Sequence, residues 1–384
     1  MVYLDNNATT RLHRSVFHKQ CEVLNRFFGN PSSLYPAGVE VKTMVEKARD
    51  QVASLIHADL SGGDTLLFTS CATESNNAVL HSVMHPSNIG KHIVISAVEH
   101  PSISQTAEYY EKIGSRVTKI GVDTDGNLCL EELRAAITDE TVLVSIMYVN
   151  SETGVIHDIP SVVQMVKEIR KDIIVHTDAV QAAGKIPIDV QALGVDMLTL
   201  SGHKFHAPKG VGVLYIKKGV PFVPFLMGGH QEKNLRAGTE NTASIVALGE
   251  AAVITKAELT SGAVEKMGEL RELLENELKT SHKDVMIFGE HAPRVCNTAN
   301  IGFKNVLGHK LVLQLAQKGI YVSSGTACNS ESTKPSRVLS AMNAPAEYIS
   351  SIRVSLDSYT KEDDIRQLLT ALDEVLGRRM QNGS

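Results

Sequence analysis

The chain has 384 residues, 43% of them hydrophobic and 21% charged, a globular balance that excludes a disordered or collagen-like chain and predicts roughly two or three domains. Lys and Arg number 38 against 43 Asp and Glu, a formal charge of -5, which argues against direct nucleic-acid binding or an anionic membrane surface as the main partner. No stretch approaches the roughly 18 to 20 apolar residues of a membrane helix, and MVYLDNNATT lacks a signal-peptide core, so the cytoplasm is the expected compartment.

Between about Thr65 and Ile216, β-branched runs alternate with helical stretches. TLLFTS precedes a helix from Glu74, HIVISAV a helix from Ser102 and VLVSIMYV a helix from Pro160; DIIVHTD, DMLTLS and GVGVLYI follow. Such alternation predicts βαβ units around a mostly parallel sheet covered on both faces. From about Ser244 to Thr280 the period becomes helical, with Val264, Met267, Leu270, Leu274 and Leu278 on one face, and a smaller unit is expected to begin there. Its later elements are the strand TANIGF, the loop SSGTACNSESTKPS, the strand SIRVSL and a closing helix capped by Thr360, with Asp363 in the capping-box region.

The five cysteines, Cys21, Cys71, Cys129, Cys296 and Cys328, are odd in number, far apart and free of any CxxC pair. That spacing speaks against a disulfide framework and a structural zinc site, so a cysteine that matters acts alone, as a thiol.

Ligands gather beyond the carboxyl ends of parallel strands, and five successive strand ends carry polar residues there. These are Thr73 and Glu74; Glu99 and His100; Asn150; Asp178 and Gln181; and Ser201, His203 and Lys204. Any one of them alone could be a cap or loop residue. In SCATESNNAV, small residues lead into a helix whose free N–H groups would take a phosphate, although Thr73 as an ordinary N-cap explains the same letters. Asp178 closes an apolar strand, where a carboxylate needs a cation such as a protonated pyridine nitrogen, or else caps the following AVQAAG. Lys204, crowded by Ser201, His203 and His206, could lose its charge by desolvation and form a Schiff base. A phosphate cradle, an aspartate for a ring nitrogen and a lysine for an aldehyde together describe a pyridoxal phosphate site, with His100 over the ring.

At this point the sequence resembles the NifS-like cysteine desulfurases of the class V aminotransferase family, pyridoxal phosphate enzymes of the aspartate aminotransferase fold. The resemblance runs almost end to end, through YLDNNATT, FGNPSSL, TSCATESNN, VEHPS, HTDAVQAAGKIPID, SGHKFHAPKGVGVLYI, GGHQEKNLRAGTEN and SSGTACNSES. It implies an α/β fold: a large domain over 13–257 with a mostly parallel seven-stranded sheet flanked by helices, and a smaller α+β domain from 1–12 and 258–384. The smaller domain carries the catalytic cysteine loop at about 323–335.

By the same resemblance Lys204 holds the cofactor aldehyde, Asp178 pairs with the pyridine nitrogen, Gln181 bonds the ring hydroxyl and His100 stacks on the ring and moves protons. Ala72, Thr73, Ser201 and His203 grip the phosphate, joined by Thr239 of a second subunit, which implies a homodimer. Arg353 takes the carboxylate of L-cysteine, a task its planar fork suits, and Asn150 also contacts the substrate. Cys328 is the nucleophile that receives sulfur and a possible transient iron–sulfur ligand; no resident metal is expected. The form ACNSEST points to the subclass that feeds an iron–sulfur scaffold protein or other sulfur acceptor, tRNA thiolation included.

Two departures stand out. The family usually reads Asn-Asn-Glu where this chain has Asn150-Ser151-Glu152, so a contact to cofactor or substrate is expected to be lost or bridged by water. Gly202 stands where the family commonly has alanine, which predicts a slightly looser lysine loop. The rival readings are a selenocysteine lyase or aminotransferase of the same fold, and a non-enzymatic iron–sulfur scaffold using Cys328 as ligand.

Overall fold

The computed structural model describes residues 1–324 and 336–377. Its main sheet has seven strands in the order Thr65–Thr69, Gly212–Ile216, Met197–Ser201, Ile174–Asp178, Thr141–Ser145, His92–Ser96 and Arg116–Ile120. Only Gly212–Ile216 runs antiparallel to its neighbours. Side chains alternate across this sheet, as the two-residue period requires. Phe68, Val94, Val144, Leu198 and Val213 enter one core, and Leu67, Ile93, Leu143, Met197 and Leu214 enter another on the opposite face. Each of these buried side chains is worth roughly 1.5 to 3 kcal/mol of transfer free energy, so the positions of the strand ends are firmly set.

Six of the seven strands are the runs picked out above. The seventh, Arg116–Ile120, lies at the sheet edge with Arg116 and Lys119 exposed, and those charges hide it from a reading that looks for apolar runs. Helices begin slightly earlier than expected. Ala72–Val83 is N-capped by Cys71, so Thr73 lies inside the first turn and is no cap. Pro101–Lys112 and Ile159–Ile169 start behind His100 and Asp158. No helix follows Asp178, whose Oδ1 instead accepts the Val180 N–H at 3.0 Å within a turn.

A second core gathers Val2 and Leu4 with Leu270, Leu274, Ile301, Val354 and Leu368. Its antiparallel sheet has the order Ser323–Ser324, Ile352–Ser355, Thr298–Phe303 and Val285–Phe288. The helical stretch from Ser244 is two helices, Thr242–Glu258 and Ala263–Ser281, parted at Gly262 with φ +84°. Leu248 and Ala251 of the first pack into the main core, whereas Met267 and Leu274 of the second pack into the small one. Thr360 does not cap the closing helix. Lys361 precedes Glu362–Val375, with its backbone N–H donated to the Asp364 carboxylate, while Thr360 ties a turn with Asp357.

Candidate active site

Between the two cores lies a cleft of about 370 Å³, at the carboxyl ends of the main-sheet strands. Ala72, Thr73, His100, Ser151, Asp178, Gln181, Ser201, His203, Lys204 and Arg353 line it. The N-terminal segment closes one side. Thr10 donates its N–H to the His203 carbonyl at 2.9 Å, and Asn7 and Ala8 offer their carbonyls to Lys204 Nζ at 2.6 and 2.8 Å. Lys204 ends the short helical turn Gly202–Lys204 directly after the strand Met197–Ser201. A Cβ at Gly202 would stand 2.8 Å from Leu248 and 3.0 Å from Ala207, so this turn is tightly packed and the expected loosening is not what Gly202 brings. His206, at φ +65°, is bonded to the Arg11 carbonyl through Nδ1 and is absent from the lining of this cleft.

At one end of the cleft the helix Ala72–Val83 begins without a side-chain cap. Its first N–H groups have no intrahelical acceptor, and its dipole favours an anion. Strand Gly212–Ile216 runs under this turn so closely that a Cβ at Gly212 would fall 2.6 Å from the Cys71 carbonyl carbon. Glu74 faces away from the cleft's anion end, held by Arg236 and the Ser70 N–H. Burial opposes its ionisation, but those two donors outweigh burial and keep its carboxyl below the usual range. His203 is held neutral, its pKa lowered to about 4 by desolvation and then by Lys204, Lys209 and Lys185.

At the other end Asp178 is buried and accepts Asn76 Nδ2 at 2.7 Å. Asn76 also reaches Ser102 Oγ at 2.8 Å, and Ser102 donates to His100 Nδ1 through its hydroxyl at 2.8 Å and its backbone N–H at 3.2 Å. Asn76 and Ser102 escape the strand-end reading because both sit inside helices. Their signal lay in the motifs TESNN and VEHPS, which place them one turn from Ala72 and two residues from His100.

The network also limits His100. Desolvation by the cleft walls, joined by the Lys204 and Arg337 charges, keeps its pKa below 6.5 against the pull of Asp178. A backbone N–H always donates, so Nδ1 is an acceptor and the proton of the neutral ring sits on Nε2. In this arrangement His100 offers the cleft an N–H donor, and taking a proton at Nε2 would first require Nδ1 to change partners.

The opposite wall comes from the small core. Arg353 is buried, with Nη2 on Asp5 Oδ1 at 2.7 Å and Nη1 on the Ser151 carbonyl at 3.1 Å. Ser151 lines the cleft, and its carbonyl also accepts Asn7 Nδ2 at 3.2 Å. Asn150, expected to touch substrate, is turned inward. Its Oδ1 accepts the Glu152 and Thr153 N–H groups at 2.9 and 3.0 Å, so it shapes the loop and does not line the cleft. Thr239 is exposed and likewise absent from the cleft of its own chain.

Cys328 lies outside the described residues. Residues just beyond that segment are well anchored: Ser336 Oγ donates to Glu152 Oε2 at 2.5 Å, and Arg337 holds Ser104 Oγ at 2.6 Å and the Glu99 carbonyl. Among the other cysteines, burial raises Cys296 to about 11 and also raises Cys129, which disfavours their thiolates. Cys71 lines the cleft as the helix cap. No group of three or more His, Cys, Asp or Glu able to hold a metal ion occurs among the described residues.

The donor set fits pyridoxal phosphate. An uncapped helix start with Ser201 and His203 suits a dianion, the Asp178 carboxylate suits a protonated ring nitrogen, and the Lys204 amine lines the same cleft. The class V aminotransferase family model matches residues 2–368. A cysteine desulfurase of Nostoc sp. (strain PCC 7120) is 43% identical over 379 residues, covering 98% of this chain and 93% of its own. A solved NifS-like protein superposes with a TM-score of 0.90 at 37% identity, over 98% of this chain and 99% of its own. The solved structure of SspA in complex with cysteine superposes with a TM-score of 0.82 at 29% identity, over 94% and 100%. The chain therefore belongs to the class V aminotransferase family, in its NifS-like cysteine desulfurase branch.

Proposed function

We infer that this protein is a pyridoxal phosphate-dependent cysteine desulfurase, converting L-cysteine to L-alanine and leaving the sulfur as a persulfide on Cys328. The observation that carries this reading is one cleft that presents the Lys204 amine and the buried Asp178 carboxylate on one wall and the Arg353 guanidinium on the other. Bound there, pyridoxal phosphate supplies an electron sink for the pair released when the substrate Cα–H bond breaks. Arg353, already aligned by Asp5 and the Ser151 carbonyl, receives the substrate carboxylate and fixes its orientation. Lys204 Nζ takes the α-proton and returns it, with the Asn7 and Ala8 carbonyls as its resting partners. Asp178 keeps the ring nitrogen protonated, and Asn76 fixes that carboxylate. The Cβ–S bond of cysteine then breaks as an S–S bond forms to Cys328. The bonding pair stays with carbon, which gains a proton to become the alanine methyl, so no outside oxidant is needed.

The persulfide is passed to an iron–sulfur scaffold protein or another sulfur acceptor in the cytoplasm, with tRNA thiolation as a further outlet. The working unit is a homodimer in which Thr239 completes the phosphate site of the partner. Phe28 and Leu34, 90% and 96% exposed on the FGNPSSL segment, and Met227, 77% exposed ahead of Thr239, are apolar surface that a second copy would cover.

Incubating the purified, cofactor-loaded protein with L-cysteine and a reductant should release alanine and sulfide in equal amounts. Cys328→Ser should still change the visible spectrum on adding cysteine but release no sulfide. A keto-acid product, or undiminished turnover in that variant, would refute the persulfide route.

A further inference from the structure

The side chain of Lys185 is buried, and among the described residues its Nζ has one hydrogen-bond partner, Gln181 Oε1 at 3.0 Å. Gln181 lines the cleft, and its Nε2 donates to the Asn7 carbonyl at 3.0 Å. That same carbonyl accepts Lys204 Nζ. The two bonds fix which way the Gln181 amide lies. A backbone carbonyl can only accept, so the NH₂ must face Asn7, and the amide oxygen is left to accept from Lys185. One N–H of that NH₂ is spent on Asn7. The other remains for whatever occupies the cleft.

We propose that Lys185 is a positioning residue that locks the Gln181 amide with its N–H toward the cofactor, so that Gln181 donates a hydrogen bond to the ring oxygen. This rests on the pyridoxal phosphate reading above. Without Lys185 only the Asn7 carbonyl still orients the amide, and whenever the amide rotates by half a turn its oxygen faces an electron-rich ring oxygen, replacing attraction by repulsion. The lock does not depend on the charge of Lys185. Desolvation, with the Lys204 charge behind it, lowers the pKa of Lys185 to about 7, yet both the ammonium and the amine carry N–H groups for Gln181 Oε1. Further N–H groups have room beside them, because Lys185 borders a cavity of about 30 Å³ that Asn6 and Asn297 also line, enough space to admit a water molecule. The wider cost of burying a lysine 6% exposed next to another lysine is what makes a purely structural role a poor explanation.

The test measures pyridoxal phosphate affinity of cofactor-stripped protein and the pH midpoint of the visible band of the reloaded protein. Lys185→Met should weaken cofactor binding roughly 10- to 100-fold, the scale of a buried hydrogen bond turned into a mismatch. It should also raise the pH midpoint, because a donor to the ring oxygen favours its deprotonated form. Lys185→Gln, a neutral donor, should restore most of both. In a Gln181→Ala background Lys185→Met should add nothing. Thermal melts of each variant exclude a folding defect as the cause. Unchanged affinity and midpoint in Lys185→Met, failure of Lys185→Gln to rescue, or a full effect persisting without Gln181 would each overturn the proposal. A wild-type protein that takes up no pyridoxal phosphate would sink the functional reading first, and this inference with it.

Discussion

On one wall of the cleft Asp178, Ser201 and Lys204 stand at or just past the ends of neighbouring strands of one sheet; on the other, Arg353, Ser151 and Asn7 meet from segments 144 and 202 residues apart. The first wall is set by local sequence, since each apolar run dictates where its strand stops and the next polar residue lands there. The second wall is assembled by tertiary contacts, and much of it is backbone. Carbonyls of Asn7, Ala8 and Ser151 hold Lys204, Gln181 and Arg353. The chemistry is thus written in side chains of one wall and aimed by main-chain acceptors of the other.

Breaking the first wall has the largest expected effect. Lys204→Ala should remove the visible band of the cofactor-loaded protein and lower alanine formation by roughly 10³-fold or more, since both attachment and proton transfer are lost. A variant that keeps its colour after gel filtration and still turns over would end the assignment. Breaking the second wall should separate substrate from cofactor. Arg353→Leu leaves Asp5 without its partner and the substrate carboxylate without a fork, so kcat/KM for cysteine should fall roughly 10²- to 10³-fold. Cofactor affinity should stay within a few fold of wild type. Equal losses in both would show that Arg353 supports the fold of the site and does not read substrate.

The two walls also differ in how far they could be read in advance. Asp178, Lys204 and Ser201 follow from strand ends, and the parallel sheet follows from apolar runs alternating with helices. The edge strand Arg116–Ile120 did not, because its solvent-facing charges mask the pattern. Asn150 was misread because a strand-end amide is equally able to tie its own loop, and here it does. Asn76 and Ser102 escape a reading by strand ends because they sit in helices; the motifs TESNN and VEHPS hold their only sequence signal, and the long-range register that brings Asn76 against Asp178 gives it meaning. Carbonyl acceptors such as Ser151 O are invisible to any reading by residue type.

A smaller effect sharpens the first wall from behind. Glu99, beside His100, accepts Ser96 Oγ and the Met147 N–H, each at 2.7 Å, and burial pushes its carboxyl from 4.5 up to about 8, with Asp178 adding to the rise. The folded protein therefore holds a proton there that the unfolded chain releases. Stability contributed by this group is intact below about pH 4.5, declines as pH rises through the window to about 8 and is lost above it. Glu99→Gln keeps an acceptor for both donors and removes the titration. The difference in Tm between pH 6 and pH 9 should shrink by a few degrees, at about 1 to 2 °C per kcal/mol for a chain of 384 residues. An unaltered pH slope would mean that Glu99 is charged in the fold.

The smallest expected effect probes where the walls meet. Ser151 gives Arg353 and Asn7 its carbonyl, and a backbone acceptor survives any side-chain change that leaves the turn in place. The turn itself is held by Asn150, so Ser151→Asn should preserve the aim of Arg353 while adding an amide to the cleft. One extra hydrogen bond of roughly 0.5 to 1.5 kcal/mol predicts a gain of about 2- to 10-fold in cofactor affinity or in KM for cysteine. Titration of cofactor-stripped protein and steady-state kinetics together tell which partner the amide finds. No change in either would show that a neighbouring group already makes the contact. A loss in kcat/KM at unchanged cofactor affinity would mean that the amide competes for Arg353, and that the carbonyl alignment seen here depends on a small residue at 151.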